Sequence, residues 1–304
     1  MKKTLIIDSN NLLYRIFFMN KARGTDVNTL LVFLRCIRSY VDMLDGVDNI
    51  ITVWDARLER ESSNFRKDAA DTDYKGTRDR ESLAEAHALD DQIYKAIESI
   101  GGMNMFPNRM EADDVIAWLT HTLTDHQITI VTVDQDMYQL INENVNVYSP
   151  IKKININTHN FEEVTGTNRK DFLSYKALIG DKSDNIPGIP KVGKKTALKI
   201  LDKGIESELT PDNLLVYKKN IELMDLSYGY TVHDREVDVY EDQLRKLQTC
   251  TQSKNDLKRI CIHNAVYDIS NNIDVQITEA HWYCPTSGRF IRKGTVEIKK
   301  LDKK

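Results

Sequence analysis

Acidic residues follow three apolar runs of the chain at the points where those runs end. Such near-continuous apolar runs are typical of parallel strands that are buried on both faces. Ligands of open α/β sheets bind at the carboxyl ends of these strands, so the acids are predicted to converge at one sheet edge. The runs and their acids are Thr4–Ile7 with Asp8, Asn49–Trp54 with Asp55, and Ile128–Val133 with Asp134 and Asp136.

Two further groups of acids fit the same edge. In residues 111–119 the apolar side chains repeat with helical spacing, and three acids lie off the apolar face. Another pair of acids is spaced three residues apart, which predicts one side of a helical turn. These acids are Glu111, Asp113 and Asp114, and the pair Asp181 and Asp184.

Carboxylates that converge in this way repel one another and raise each other's pKa values. Bound divalent cations remove that penalty. Oxygen ligands without clustered His or Cys indicate Mg²⁺ or Mn²⁺, and two such ions about 4 Å apart serve phosphodiester hydrolysis. Any one acid could instead cap a helix or close a turn, but a single metal site accounts for the whole set.

The segment Gly188–Thr196 nearly matches the phosphate-binding loop of nucleoside triphosphatases. Lys195 stands where that loop needs Ser or Thr, and the segment follows a helical pattern rather than a strand. A helix-hairpin-helix fits better, because glycines let a turn approach a phosphate and lysines add charge. The residues predicted to bind a DNA backbone are Gly188, Lys191, Gly193, Lys194 and Lys195.

Residues 57–82 carry many charges of both signs and few apolar side chains. Long charged insertions in compact domains are usually functional or disordered. Tyr74, Lys75 and Arg78 combine an aromatic ring with cations, which suits a single strand whose bases stack and whose phosphates pair with charges. Arg15, on the predicted first helix, is another cationic candidate. A solvated charged loop and a surface arginine are the alternatives.

Bulk composition bounds the class of protein. The chain has 304 residues, 41% of them hydrophobic, and a formal net charge of −4. Negative charge taken alone disfavours a nucleic-acid partner, but much of it belongs to the predicted metal site, where cations would neutralise it. The absence of a signal peptide and of any apolar stretch of about 18 residues predicts a cytoplasmic protein without membrane contact. Reduced thiols are expected at Cys36, Cys250, Cys261 and Cys284.

Three regions are predicted along the chain. Residues 1–160 alternate strand and helix patterns, which indicates an α/β core with a mostly parallel central sheet flanked by helices. An insertion interrupts this core at about 57–100. Residues 161–240 are mainly helical and contain the helix-hairpin-helix. Residues 241–304 form an extension whose pattern indicates no chemistry.

Five segments resemble, in order, successive motifs of the 5′-nuclease or flap endonuclease family, particularly its bacterial and bacteriophage members. The resemblance spans residues 1 to about 200. It implies a mostly parallel sheet with flanking helices, a helical arch or clamp above the site, and a helix-three-turn-helix element on duplex DNA. The segments are Asp8–Arg15, Tyr74–Arg78, Glu111–Asp114, Thr132–Asp136 and Gly180–Gly188.

The resemblance also implies a role for each matching residue. Lys75 and Arg78 would belong to the arch that grips the 5′ strand and the scissile phosphate, and Arg15 would steer that phosphate. The hairpin near Gly188–Gly193 resembles one that also holds K⁺ through backbone carbonyls. Two Mg²⁺ or Mn²⁺ ions would bind, the tighter at Asp8, Asp55, Glu111, Asp113 and Asp134, and the second, partly through water, at Asp114, Asp136, Asp181 and Asp184.

The implied activity is a structure-specific 5′ nuclease for DNA flaps, junctions and 5′ ends in replication or repair, with RNA primers in RNA–DNA hybrids as a further substrate. We expect a free-standing monomer in a bacterium or an infected bacterial host, with replication proteins as candidate partners. Two alternatives stay open. One is a PIN-like ribonuclease, which shares the acidic sheet edge, and the other is a non-catalytic module that binds DNA junctions.

Overall fold

A six-stranded sheet forms the centre of the protein. The computed structural model describes residues 1–24, 29–55, 66, 70, 85–107, 110–232, 240, 241 and 244, with two short strands at 281–284 and 289–292. The strands of the sheet are β1 (Lys2–Asp8), β2 (Asn49–Val53), β3 (Met103–Met105), β4 (His126–Val131), β5 (Val145–Ser149) and β6 (Ile154–Ile156). Their order is β3–β2–β1–β4–β5–β6, and only the pairing of β5 with β6 is antiparallel. The predicted mostly parallel sheet is therefore confirmed.

Helices cover both faces of this sheet. Alternate residues of a strand point to opposite faces, so Leu5 and Ile7 of β1 join one buried core and Ile6 joins the other. The first face carries α1 (Ser9–Arg23), α2 (Thr29–Met43) and α3 (Asp90–Ser99), and the second carries α4 (Ala112–Thr122), a 3₁₀ helix (Asp136–Leu140) and α5 (Phe161–Thr165). Burial on both faces explains why the strands are continuously apolar in sequence.

The rest of the described chain is mainly helical. Its elements are α6 (Phe172–Ile179), β7 (Gly180–Asp181), β8 (Ile186–Pro187), α7 (Lys194–Lys203), α8 (Ile205–Glu208), α9 (Pro211–Met224), α10 (Leu226–Val232), β9 (His281–Cys284) and β10 (Arg289–Arg292). Helix α7 begins at Lys194, directly after Gly193.

The prediction of a helical turn at Asp181 and Asp184 is wrong. Strands β7 and β8 pair antiparallel, Asp181 ends β7, and Asp184 lies in the turn between them. Asp181 Oδ1 accepts the amides of Ser183 at 2.7 Å and Asp184 at 3.4 Å. Side-chain bonds of this kind offer the backbone an alternative to helix.

Two glycines close the hairpin formed by β7 and β8. Gly180 has a φ of +76°, and a Cβ there would lie 2.2 Å from the backbone nitrogen of Gly188. A Cβ on Gly188 would lie 2.3 Å from the carbonyl oxygen of Ile179. Only glycine permits such a close approach. This packing holds Asp181 and Asp184 in place, and it gives Gly188 a structural role.

We predict that Gly180→Ala lowers the free energy of unfolding by about 2 kcal/mol or more, because both the backbone angle and the neighbouring strand oppose a side chain. Denaturant titration measures this loss. The matched control is Gly24→Ala, since Gly24 also has a positive φ of +58° but nothing lies within 4 Å of an added Cβ. Equal losses in the two variants would show that strand contact at Gly180 does not matter.

Candidate metal centre and nucleic-acid interface

The three strand-end acids meet where the sheet joins α1. Strands β2, β1 and β4 are neighbours, and Asp8 is both the last residue of β1 and the N-cap of α1. Its Oδ1 accepts the amide of Asn11 at 3.3 Å, and its Oδ2 accepts the hydroxyl of Thr132 at 2.7 Å. These bonds hold the Asp8 carboxylate at the carboxyl edge of the sheet. Asp55 and Asp134 complete what we call the first group.

Burial and the neighbouring charges both destabilise the ionised form of Asp8 in the first group. The pKa of Asp8 is raised to about 7, mainly by burial, while the hydrogen bond from Thr132 opposes the rise. The negative charges of Asp55 and Asp134 raise the pKa further. The charges of Asp55 and Asp134 therefore lie close enough to Asp8 to destabilise its ionised form. A cation at this edge would relieve that cost.

Asp134 also belongs to a second group, together with Asp136 and Asp181. Asp134 Oδ1 accepts the amide of Asp136 at 2.9 Å, at the start of the 3₁₀ helix. Burial raises the pKa of Asp136 to about 7, with a further rise from the charge of Asp134 and a smaller one from Asp181. The nearby Lys176 opposes this rise.

Lys176 of α6 lies between two carboxylates of the second group. Its Nζ is 2.9 Å from Asp136 Oδ1 and 2.5 Å from Asp181 Oδ2. Burial alone would lower the pKa of this ammonium, but the two carboxylates outweigh burial and raise it. Sequence reasoning missed Lys176, because a lysine five residues before Asp181 on a helix carries no pattern that distinguishes it from a surface residue.

The first turn of α4 brings two more predicted ligands to the edge. Asp55 Oδ1 accepts the amide of Ala112 at 3.3 Å, which holds the start of α4 beside the end of β2. Glu111 is the N-cap of α4, and its side chain accepts an amide of the first turn. Glu111 and Asp113 are both half-buried here.

Asp114 occupies a different place. Its residue is 0% exposed, and its two carboxylate oxygens accept hydrogen bonds from Arg66 at 2.7 and 2.5 Å. Asp114 Oδ2 also accepts the amide of Glu111 at 3.0 Å. A helix turns by about 100° per residue, so the residue after Asp113 faces the interior. The structure places Asp114 inside the protein, where it is paired with Arg66.

Arg15 of α1 has a guanidinium that is only partly satisfied. Its Nη2 donates to the hydroxyl of Tyr40 at 3.2 Å, while its buried Nε has no hydrogen-bond partner among the described residues. A buried donor without a partner costs about 1–3 kcal/mol. A phosphate oxygen would be a favourable acceptor for it.

Exposed lysines surround the start of α7. Lys191, Lys194 and Lys195 are exposed, and Gly193 is the N-cap of the helix. Glycine has no side chain to cap the first amides, so water or an anion must satisfy them. Tyr74, Lys75 and Arg78, which were predicted to contact a 5′ single strand, lie outside the described residues.

The donor set fits hard cations, although within the described part of the chain no group of three or more His, Cys, Asp or Glu side chains is arranged to hold a metal ion. All candidate donors are carboxylate oxygens at one edge, and Asp8 and Asp136 have raised pKa values there. Lys176 supplies positive charge between Asp136 and Asp181. Divalent cations bound by oxygen ligands would supply the same compensation to the other acids.

Comparison with known proteins relates the whole described core to one family. The chain matches the family model "5′-3′ exonuclease, N-terminal resolvase-like domain" over residues 3–166 and the model "5′-3′ exonuclease, C-terminal SAM fold" over residues 167–223. The 5′-3′ exonuclease of Buchnera aphidicola subsp. Schizaphis graminum is 32% identical over 208 residues, which are 66% of this chain and 70% of that protein.

Other relatives are longer or are known by structure. The thermostable DNA polymerase I of Thermus thermophilus is 31% identical over 207 residues, which are 66% of this chain and only 24% of the polymerase. The bacteriophage T5 flap endonuclease, in a complex with DNA and metal ions, aligns with a TM-score of 0.64 and 21% identity, and the alignment covers 88% of this chain and 100% of that one. At this identity the likeness establishes the fold. Within the described residues, no helix is long and apolar enough to cross a membrane.

We predict that Asp8→Asn stabilises the metal-free protein at about pH 8 and not at about pH 4. The folded-state pKa of Asp8 is raised from 3.8 to about 7, so the folded protein holds the extra proton between these values and its stability falls as pH rises through them. Asparagine removes this dependence. Thermal midpoints in EDTA should differ by about 3 °C or more at the higher pH, and parallel pH profiles for the two proteins would contradict the prediction.

Proposed function

We propose that this chain, which belongs to the 5′-3′ exonuclease family, hydrolyses phosphodiesters at the 5′ ends, 5′ flaps and branch junctions of DNA with the help of divalent metal ions. The observation that carries this proposal is the acidic sheet edge, where Asp134 joins two groups of mutually repelling carboxylates. A protein holds acids in this way at a cost in stability, and cation binding offsets that cost.

We assign the metal ligands from their places in the structure. The edge formed by the first group and the start of α4 suits one ion, and the second group with the β7–β8 turn suits another. Asp114 is left out, because Arg66 engages both of its oxygens. The first site would use Asp8, Asp55, Glu111, Asp113 and Asp134, and the second would use Asp136, Asp181 and Asp184.

Two bound divalent cations would activate water for attack and stabilise the charge on the departing oxygen. The chain's own residues position the acids and bind the substrate phosphate. Lys176 holds Asp136 and Asp181 together, and the unsatisfied Nε–H of Arg15 can donate a hydrogen bond to a phosphate oxygen. Lys75 and Arg78 are proposed to grip the 5′ strand and the scissile phosphate, where charge stabilisation counts most in the transition state.

The hairpin and the start of α7 are proposed to bind duplex DNA through its phosphates. Lys191, Lys194 and Lys195 are exposed there, beside helix amides that lack a side-chain cap. Such contacts position a duplex without reading its sequence. We also propose that Mg²⁺ is the working ion and that K⁺ binds at the hairpin. RNA–DNA hybrids are proposed as a second substrate. The protein is proposed to act as a monomer in the cytoplasm of a bacterium or an infected bacterial host.

One assay tests the proposed activity against the two alternative functions. A labelled 5′-flap, a nicked duplex, an RNA-primed duplex and an RNA-only hairpin are each incubated with the protein in Mg²⁺, Mn²⁺, Ca²⁺ or EDTA. We expect cleavage near the flap junction in Mg²⁺ and Mn²⁺ and none in EDTA. Cleavage of RNA alone would indicate a PIN-like ribonuclease, and tight flap binding without cleavage in any metal would indicate a junction-binding module.

We predict that Asp134→Asn lowers single-turnover flap cleavage by at least about 100-fold, because one acid common to both groups is lost. Flap binding in Ca²⁺ should stay within about three-fold of wild type, since less negative charge does not weaken the grip on DNA. Asp125→Asn is the matched control, because Asp125 has a 77% exposed side chain and precedes the opposite end of β4. Full turnover by Asp134→Asn would refute the metal assignment.

We also predict that Lys194→Ala combined with Lys195→Ala weakens binding to duplex-containing substrates without regard to sequence. Each lost phosphate contact should reduce the slope of log affinity against log salt by roughly one unit. Fluorescence titration across several salt concentrations measures that slope. The control combines Lys2→Ala with Lys3→Ala at the start of β1, at the opposite end of the strand from Asp8. It makes the same charge change and should leave the slope unaltered. If both double variants show the same slope, the hairpin does not contact the DNA backbone.

A further inference from the structure

Arg66 is buried although it belongs to the charged insertion. Only 2% of it is exposed. Its Nη1 and Nη2 donate to the two oxygens of Asp114 at 2.7 and 2.5 Å, and its Nε donates to the carbonyl of Leu223 at 2.9 Å. Nη1 also lies 3.5 Å from Glu111 Oε2. This one guanidinium therefore contacts the start of α4 and the end of α9.

The Asp114 side of this contact is packed tightly. A Cβ on Gly229 of α10 would lie 2.1 Å from Asp114 Oδ1, so α10 rests directly on the ion pair. Asp114 also accepts the amide of Glu111. Removing one charge of a buried pair leaves the other uncompensated and costs several kcal/mol, whereas removing both costs much less.

The junction between α9 and α10 is also contacted by the 3₁₀ helix that carries Asp136. Gln139 of the 3₁₀ helix donates its Nε2 to the carbonyl of Met224 at 3.1 Å and accepts the amide of Leu226 at 3.1 Å. Gln139 is three residues after Asp136. The junction is therefore attached both to Arg66 and to the segment that carries the second group of acids.

The insertion is held near this junction at a second point. Ala70 donates its amide to the carbonyl of Arg66 at 2.9 Å, and its side chain packs against the buried cluster of Ala177, Ile186, Leu223 and Met224. Lys75 follows Ala70 by only five residues in the chain. The anchor at Arg66 and Ala70 thus limits where the chain can present Lys75 and Arg78.

We propose that Arg66 is a positioning residue that sets the start of the insertion in register with Glu111 and with the α9–α10 junction. It acts through its neighbours, since its guanidinium is buried and its donors are used by Asp114 and Leu223. The inference rests on the proposed function, because it assumes that the insertion grips the strand to be cut. A displacement of about 1 Å at such a site costs about 100-fold in rate.

The test compares four variants with the wild-type protein. Arg66→Gln removes the charge and the fork, and Arg66→Lys keeps the charge but not the planar two-donor geometry. Arg66→Met combined with Asp114→Asn removes both charges, which lowers stability less than leaving one buried charge without its partner. Thr4→Val is the control for stability alone, because the hydroxyl of Thr4 is hydrogen-bonded to His126 Nδ1 in a buried contact away from the acidic edge.

Three quantities are measured for each variant: the thermal midpoint, the single-turnover rate on a saturating 5′-flap in Mg²⁺, and flap affinity in Ca²⁺. We expect Arg66→Gln and the double variant to cut about 30- to 100-fold more slowly, with affinity within about three-fold of wild type. Arg66→Lys should recover part of the rate. Thr4→Val should cut at the wild-type rate while it is folded.

Each outcome decides the matter. Flap cleavage by wild type and Thr4→Val establishes the proposed function first, and its absence would defeat that proposal rather than this one. If the folded double variant then cuts within about three-fold of wild type, Arg66 does not position the insertion. The same conclusion follows if rate and affinity fall together in proportion to the folded fraction, because that pattern is loss of stability alone.

Discussion

The burial of several carboxylates close together at one edge of a parallel sheet is the constraint on which the rest of this structure depends. The edge arises because β1, β2 and β4 run parallel, and its cost appears in the pKa values of Asp8 and Asp136, which burial raises most and neighbouring acids raise further. The cost is tolerable only if positive charge is supplied nearby. The cations that we propose to bind at this edge would offset its cost in the same way.

The protein compensates its acids in two different ways. Lys176 reaches Asp136 and Asp181 with a flexible side chain whose ammonium is a compact charge. Arg66 forms a buried two-donor pair with Asp114, beneath α10. The first arrangement leaves oxygens at the edge, whereas the second removes an acid from it. Adjacent acids of one motif, Asp113 and Asp114, thereby acquire separate roles.

The net charge of −4 and a DNA substrate are compatible because the charges are segregated. The acids are gathered at the sheet edge, and exposed lysines lie around the start of α7. The hairpin closed by Gly180 and Gly188 stands between these two regions in the chain, so the backbone that holds Asp181 also leads into the lysines. The net charge of the whole chain therefore conceals both the acidic sheet edge and the basic surface around α7.

The sequence by itself determined the parallel sheet and most of its acidic edge. Asp8, Asp55 and Asp134 follow from a local rule, because a buried strand is almost continuously apolar and the first acidic residue of the run comes at or just after its end. Contacts between distant segments follow no such rule. The inward turn of Asp114, the β7–β8 hairpin in place of a helical turn, and the pairing of Lys176 with Asp136 were decided only by the tertiary structure. Each depends on a partner that the chain brings close by folding, such as Arg66, which is 48 residues away from Asp114, and periodicity carries no information about such partners.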